Sequence, residues 1–139
     1  MLISTKGRYG LRIMTYLASH YDEGEFISLR EIAEMQDLSQ KYVERIMASL
    51  VGDNLLLAKK GKTGGYRLAK KPEEYTVGEI LRVTEEDLVP VACMRQKAEK
   101  CTMRPTCTTF PMWREFSKLI NDYFDSKTLT ELMAMPKEE

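Results

Sequence analysis

Residues 28–71 read SLREIAEMQDLSQKYVERIMASLVGDNLLLAKKGKTGGYRLAKK, and this stretch decides the fold. Ser28-Leu29-Arg30-Glu31 has capping-box spacing, in which the hydroxyl takes a first-turn amide and the glutamate reaches back. It opens a short helix with Leu29, Ile32 and Ala33 inward. Met35-Gln36-Asp37-Leu38 is a turn of the right length. Ser39 is an N-cap candidate for a second helix over about residues 39–51, with Val43, Ile46, Met47 and Leu50 on one face. Two short strands follow, at 55–60 and 65–69. Gly61-Lys62-Thr63-Gly64 joins them, with glycines free to take positive φ. Two helices across a tight turn and then a hairpin form a winged helix-turn-helix.

The hairpin is basic: residues 59–71 hold six Lys and Arg and no acid. Residues 1–71 carry twelve basic against eight acidic side chains, and residues 72–139 carry nine against thirteen, so a formal net charge of zero conceals a basic half. The field that a polyanion meets depends on local clustering, and neutrality does not exclude DNA. The competing reading is a solvated charged hairpin.

Upstream, Tyr9, Ile13, Met14, Tyr16, Leu17 and Tyr21 recur at near-helical spacing and predict an amphipathic helix over 6–21, followed by a polar break at 22–25. Downstream, Thr76-Val77-Gly78-Glu79 repeats the capping-box pattern and opens a helix over 77–83. Pro90 ends the regularity. Trp113, Phe116, Leu119, Ile120, Tyr123 and Phe124 then form one apolar stripe on a helix over 111–124, about 20 Å long. Thr128 starts a last short helix, and the tail MPKEE is expected to fray. A winged helix closes its own core, so the stripe is either packed on its own domain or an interaction surface. Two-fold pairing through it would set two recognition helices on successive major grooves, about 34 Å apart.

The expected architecture is mainly α with a small β-hairpin: a winged helix-turn-helix domain at 1–84, a cysteine-containing loop at 85–110, and a dimerisation helix with its tail at 111–139. The composition, 43% hydrophobic and 30% charged, allows a real core in 139 residues. No apolar run reaches the roughly 18 residues of a membrane span, and the N-terminus lacks a secretory pattern. A cytoplasmic protein is expected.

Several stretches together resemble one bacterial family. They are STKGRYGLR at 4–12, SLREIAE and LSQKYVERI at 28–34 and 38–46, and KGKTGGYRLAKKPEEYTVGEILRVTE at 60–85, followed by three cysteines and a tryptophan. The pattern resembles the Rrf family of dimeric winged-helix transcription regulators, with its IscR-, NsrR-, RirA- and CymR-type branches. The resemblance implies a homodimer on palindromic promoter DNA. It also implies, for the IscR-like branch, an iron–sulfur cluster whose state sets DNA affinity in response to iron, redox or nitric oxide status. Glu44 matches the family glutamate that reads cytosine. Ser39, Gln40, Lys41, Tyr42 and Arg45 lie on or near the same face, and Lys60 and Lys62 sit in the wing. The chemistry suits these roles, since Glu accepts from cytosine N4, Arg or Lys donates to guanine, and hydroxyls and lysines reach phosphate. Lys60 and Lys62 are candidates for phosphate or minor-groove contact.

All three cysteines, Cys93, Cys101 and Cys107, fall in CMRQKAEKCTMRPTC at 93–107, among Arg95, Lys97, Lys100 and Arg104 and a single acid, Glu99. Cations lower thiol pKa and offset the charge of a thiolate-bound cluster. Stable disulfides are rare in a reducing compartment, and an odd count leaves one thiol unpaired. The C-x7-C-x5-C spacing resembles the RirA and NsrR branches. The fourth ligand departs from the family: the IscR-like histidine position is Phe110, and the NsrR-like aspartate position is Arg8. His20, the only histidine, lies at the end of the first helix. The cluster, of 2Fe–2S or 4Fe–4S type, therefore has either another ligand or an open iron. A zinc site wants four Cys/His ligands at closer spacing. A metal-free thiol switch needs no fourth ligand and is the main rival. Three structural thiols in a polar loop are the bland alternative.

No phosphate-cradling loop, paired metal-binding histidines or triad marks an enzyme. The expected function is a DNA-binding transcription regulator, a repressor, governed by a cluster. Two alternatives stand beside it: a thiol-redox regulator without metal, and an iron–sulfur carrier or electron-transfer protein whose basic wing is incidental.

Overall fold

A computed structural model of the chain describes residues 2–138; of the tail MPKEE, Glu139 lies outside the described residues. The elements are α1 (Thr5–Ser19), α2 (Leu29–Gln36), α3 (Gln40–Gly52), β1 (Leu56–Lys59), β2 (Gly65–Leu68), α4 (Val77–Thr84), α5 (Phe110–Ser126) and α6 (Leu129–Ala134). Five helix starts are set by a hydroxyl. Ser4, Ser28, Ser39, Thr76 and Thr128 each accept from the amide three residues on, at 3.1 or 3.2 Å. The reciprocal glutamate contact forms only at Thr128, whose amide donates to Glu131 at 3.3 Å. Glu31 instead accepts from the Tyr16 hydroxyl at 3.3 Å, and Glu79 pairs with Lys70 at 3.0 Å. Each of these carboxylates finds a partner across the fold. α1 is shorter than its periodicity predicts, because a 3-10 turn at Tyr21–Glu23 and left-handed Gly24 (φ 67°) break it off.

The core gathers Ile13, Met14 and Leu17 of α1, Ile32 of α2, Val43, Ile46, Met47 and Leu50 of α3, and Ile80 of α4. All four residues read as inward on α3 are fully buried. The winged helix does not close this core alone. Leu129 of α6 is fully buried within it. The entry to α6 is pinned by backbone: the Val77 amide donates to Lys127 at 2.8 Å and the Leu129 amide to Tyr75 at 3.2 Å. The C-terminal segment is therefore part of the winged helix's wall, which sequence periodicity does not reveal.

β1 and β2 pair antiparallel from Leu56↔Leu68 to Lys59↔Gly65. Ile27 adds a third strand position, exchanging hydrogen bonds of 2.9 and 2.8 Å with Tyr66. Gly65 makes this possible: its φ is +148°, and a Cβ there would strike the Ile27 carbonyl. At the base of the wing, fully buried Tyr75 donates its hydroxyl hydrogen to the Leu55 carbonyl at 2.6 Å. The same oxygen accepts from the amides of Ala69 at 2.9 Å and Lys70 at 3.2 Å. One phenol thus joins the entry of β1 to the exit of β2.

α5 docks on α4. Arg82 forks onto Asp125 at 2.7 and 2.9 Å and reaches Asn121 at 2.8 Å. Asn121 in turn donates to the Leu88 carbonyl at 3.2 Å. Gly78 leaves the room that Asp125 fills. Phe124 packs on a second small cluster of Val77, Leu81 and Leu88. The polar residues Ser117 and Asn121 share this inner face, so α5 is held partly by hydrogen bonds.

Candidate nucleic-acid interface and cysteine loop

α3 presents a polar face to solvent. Gln40, Lys41, Glu44 and Arg45 are exposed. The Ser39 oxygen accepts from the Tyr42 amide at 3.2 Å, which leaves its hydroxyl hydrogen free to donate. Tyr42 is different: it is half-buried, packed on the core and edge-on to Tyr9, with ring centroids 6.0 Å apart. Its ring sets the angle of α3 against α1 and leaves the hydroxyl end at the helix face. The turn before α3 is held by Asp37 in the left-handed region (φ 55°). Burial first, and then the charge of Glu44, push the Tyr66 phenol above its ordinary pKa. Glu44 of α3 and Tyr66 of β2 therefore lie close enough for the carboxylate to act on the phenol.

The wing's six cations divide by position. Arg67 donates to the Gly24 carbonyl at 3.0 Å and lies 4.8 Å over the Phe26 ring, with Lys59 at 5.7 Å on the same ring. Lys70 is paired with Glu79. These three bind the wing to its own domain. The other three, Lys60 and Lys62 near the tip and Lys71 beyond β2, are exposed. Phe26 was not singled out from sequence, because nothing local marks it as the seat of two cations from a strand pair forty residues on.

The six stripe residues of α5 occupy two faces. Phe124 lies on the inner face, and Trp113 and Ile120 are half-buried at its border. Phe116 (43% exposed), Leu119 (69%) and Tyr123 (56%) face outward with Met112 (51%). Spacings of four, three and four make 112, 116, 119 and 123 a continuous apolar seam. Lys118 and Asp122 pair beside it.

The cysteines lie in the segment between α4 and α5. Cys93 and Cys101 wall one cleft of about 580 Å³, together with Arg95, Glu99, Lys100, Arg104 and Phe110. Cys107 stands two residues ahead of the Thr109 N-cap of α5. Its sulfur is 3.5 Å from the Thr109 hydroxyl. Hydrogen bonding from that hydroxyl, from the amides of Thr109 and Phe110, and the charge of Arg104 hold the Cys107 thiol below its ordinary pKa. Among the described residues, no three His, Cys, Asp or Glu side chains are grouped closely enough to hold a metal ion. Phe110, at the start of α5, is buried and offers no donor, and Arg8 is exposed on α1. His20 is beside Glu23 at 3.5 Å and against Tyr16, remote in the fold from this loop. In residue type three sulfurs and a cationic wall suit a thiolate-bound group, but Cys107 does not line the cleft that Cys93 and Cys101 share. The donor set supplies no fourth side chain at either family position.

Known proteins share this fold. The chain is 34% identical over 133 residues to the HTH-type transcriptional regulator IscR of Aliivibrio salmonicida, covering 96% of this chain and 77% of that protein. It is 36% identical over 132 residues to the HTH-type transcriptional regulator CymR of Bacillus subtilis, covering 95% and 89%. The solved structure of B. subtilis CymR, described as that organism's global cysteine regulator, superposes with a TM-score of 0.78 over 99% of both chains at 33% identity. The solved T. potens IscR gives 0.75 at 31% identity, over 99% of this chain and 94% of that one. The fold and its exposed polar helix define a winged-helix DNA-binding transcription regulator. Residues 3–135 match the family described as Rrf2, iron-dependent transcriptional regulator, and the chain belongs to that family. Its members are regulators rather than enzymes. No helix among the described residues is long and apolar enough to cross a membrane.

Proposed function

We propose that this regulator acts in the cytoplasm as a homodimer on palindromic promoter DNA, as a repressor, and that a group bound at Cys93, Cys101 and Cys107 sets its DNA affinity. Ser39, Gln40, Lys41, Glu44 and Arg45 enter the major groove, with Tyr42 bracing the helix, and Lys60 and Lys62 hold phosphates at the wing tip. The seam of Met112, Phe116, Leu119 and Tyr123 pairs with its copy, bordered by Trp113 and Ile120.

The observation that carries the control mechanism is where the thiols sit. The cysteine segment runs from the end of α4 to the first turn of α5, and its two ends are fastened by Asn121 to Leu88 and by Cys107 to Thr109. A change in that segment acts on the joint between the DNA-binding unit and the pairing helix, so it biases the spacing of the two recognition helices. An iron–sulfur cluster, when bound, supplies one-electron chemistry and a sulfide core open to small oxidants. The three thiolates would hold it, and Arg95, Lys100 and Arg104 would offset its charge.

A metal-free thiol switch is the second reading. It is favoured by the separation of the three sulfurs and by the depressed pKa of Cys107. Anaerobic purification, an absorption spectrum and iron and sulfide analysis separate the two. Charge-transfer bands with matched iron and sulfide support the cluster. A chain that stays colourless after reconstitution removes it and leaves direct thiol oxidation as the mechanism.

A further inference from the structure

Arg104 has no role in the reading above beyond its charge, yet its side chain joins both ends of the cysteine segment. Its guanidinium donates to the Cys93 carbonyl at 3.0 Å, eleven residues away. The same group lies over Phe110, with its central carbon 3.8 Å from the ring centroid. Phe110 is the first residue of α5 and is only 8% exposed. Arg114, one turn further along α5, sits 5.0 Å from the same ring. The ring is thus a buried platform, and Arg104 is the link from that platform to the 3-10 turn carrying Cys93. A planar fork can stack on an aromatic face and donate in its own plane at once, which an ammonium does less well.

We propose that Arg104 is the positioning residue of the cysteine segment: it fixes the Cys93 backbone against the start of α5 in the metal-free protein. This rests on the reading that the three thiols act as one site. It also gives Phe110 a purpose. Where relatives are expected to carry a histidine ligand, this chain carries the seat of the residue that orders the loop.

The test uses the full chain, reduced and anaerobic, as wild type, Arg104→Ala and Arg104→Lys, with cobalt(II) alone as probe. Two readouts are taken. Hydrogen exchange of the metal-free protein reports local order at residues 94–96 and 109–110. Thiolate-to-cobalt charge-transfer absorption reports affinity and the number of sulfurs bound. Arg104→Ala is expected to speed exchange in both segments roughly tenfold and to weaken cobalt binding roughly tenfold, with α1–α4 exchange unchanged. Arg104→Lys keeps the charge, loses the planar fork, and falls between. Unchanged exchange in Arg104→Ala would overturn the proposal. So would an Arg104→Lys chain indistinguishable from wild type, since charge alone would then explain everything. If the wild type shows no thiolate–cobalt absorption, the metal reading fails by itself, and exchange still decides the role of Arg104.

Discussion

Replacing Tyr75 by Phe removes one oxygen from a site where it serves three backbone groups. The hydroxyl donates to Leu55 at 2.6 Å and accepts from Ala69 and Lys70 at 2.9 and 3.2 Å. Leu55 and Ala69 retain a long mutual bond of 3.4 Å. The change therefore costs one strong buried hydrogen bond and leaves the Lys70 amide short of its partner. That is roughly 2–3 kcal/mol at the usual penalty for unmet buried groups, or a fall in Tm of about 6–12 °C for a chain of this size. Urea unfolding should give the same loss with an unchanged m-value. The pH dependence has a definite sign. Burial, opposed by the amides of Lys70 and Ala69, raises the Tyr75 phenol above its ordinary pKa. The folded state holds the proton more tightly, so stability is intact below about pH 10 and falls as the pH rises beyond it. Tyr75→Phe should flatten that alkaline fall, leaving the part due to Tyr66 and Tyr16, whose phenols are also raised. A loss under about 0.5 kcal/mol would refute the assignment of Tyr75 as the tie at the wing's base.

Four further outcomes are expected. Lys60→Ala or Lys62→Ala should weaken binding to all DNA sequences and reduce the slope of log affinity against log salt by about 0.9 per lost phosphate contact. Glu44→Ala should instead change which sequence is preferred, by roughly 1–3 kcal/mol at one base pair, measured by anisotropy over a set of altered operators. Leu119→Asp should give a folded monomer in sedimentation, since Leu119 is 69% exposed in the single chain; a dimer of unchanged strength would place the pairing surface elsewhere. Asp37→Gly should raise stability by about 0.5–1 kcal/mol, the left-handed penalty of an L side chain less the entropic cost of glycine, and equal or lower stability would mean that the Asp37 side chain compensates locally.

The helix-turn-helix was legible because its signals are local. Ser28 and Ser39 announce their helices within four residues, and the inward set of α3 follows from period alone. What escaped is what depends on distant partners. Glu31 and Glu79 have capping spacing yet are drawn to Tyr16 and Lys70, which no window around either glutamate contains. The α5 stripe reads as one face because its six residues are apolar. The fold turns Phe124 inward, since Arg82 grips Asp125 and Asn121 from forty residues away and fixes the helix's rotation. For the same reason Leu129 could not be assigned to the core of a domain that ends, by pattern, near residue 84. In the cysteine loop the residue types were readable, but the positions of the sulfurs were not, since that segment follows no period. Arg104 shows this most clearly: in sequence it is one cation of four, and only its contacts with Cys93 and Phe110 set it apart.

If the state of the three-cysteine segment controls DNA binding, operator affinity must follow that state. The direct measurement is operator-DNA affinity, at one fixed salt concentration, of anaerobically reconstituted protein, of the same preparation after cluster removal, and of a Cys93→Ser/Cys101→Ser/Cys107→Ser chain. The account predicts that reconstituted and stripped protein differ by about tenfold or more, and that the serine chain stays at the stripped value whatever the treatment. Equal affinities for all three, with the salt dependence of a genuine DNA complex, would contradict it and leave a winged-helix regulator whose cysteines govern something other than its grip on DNA.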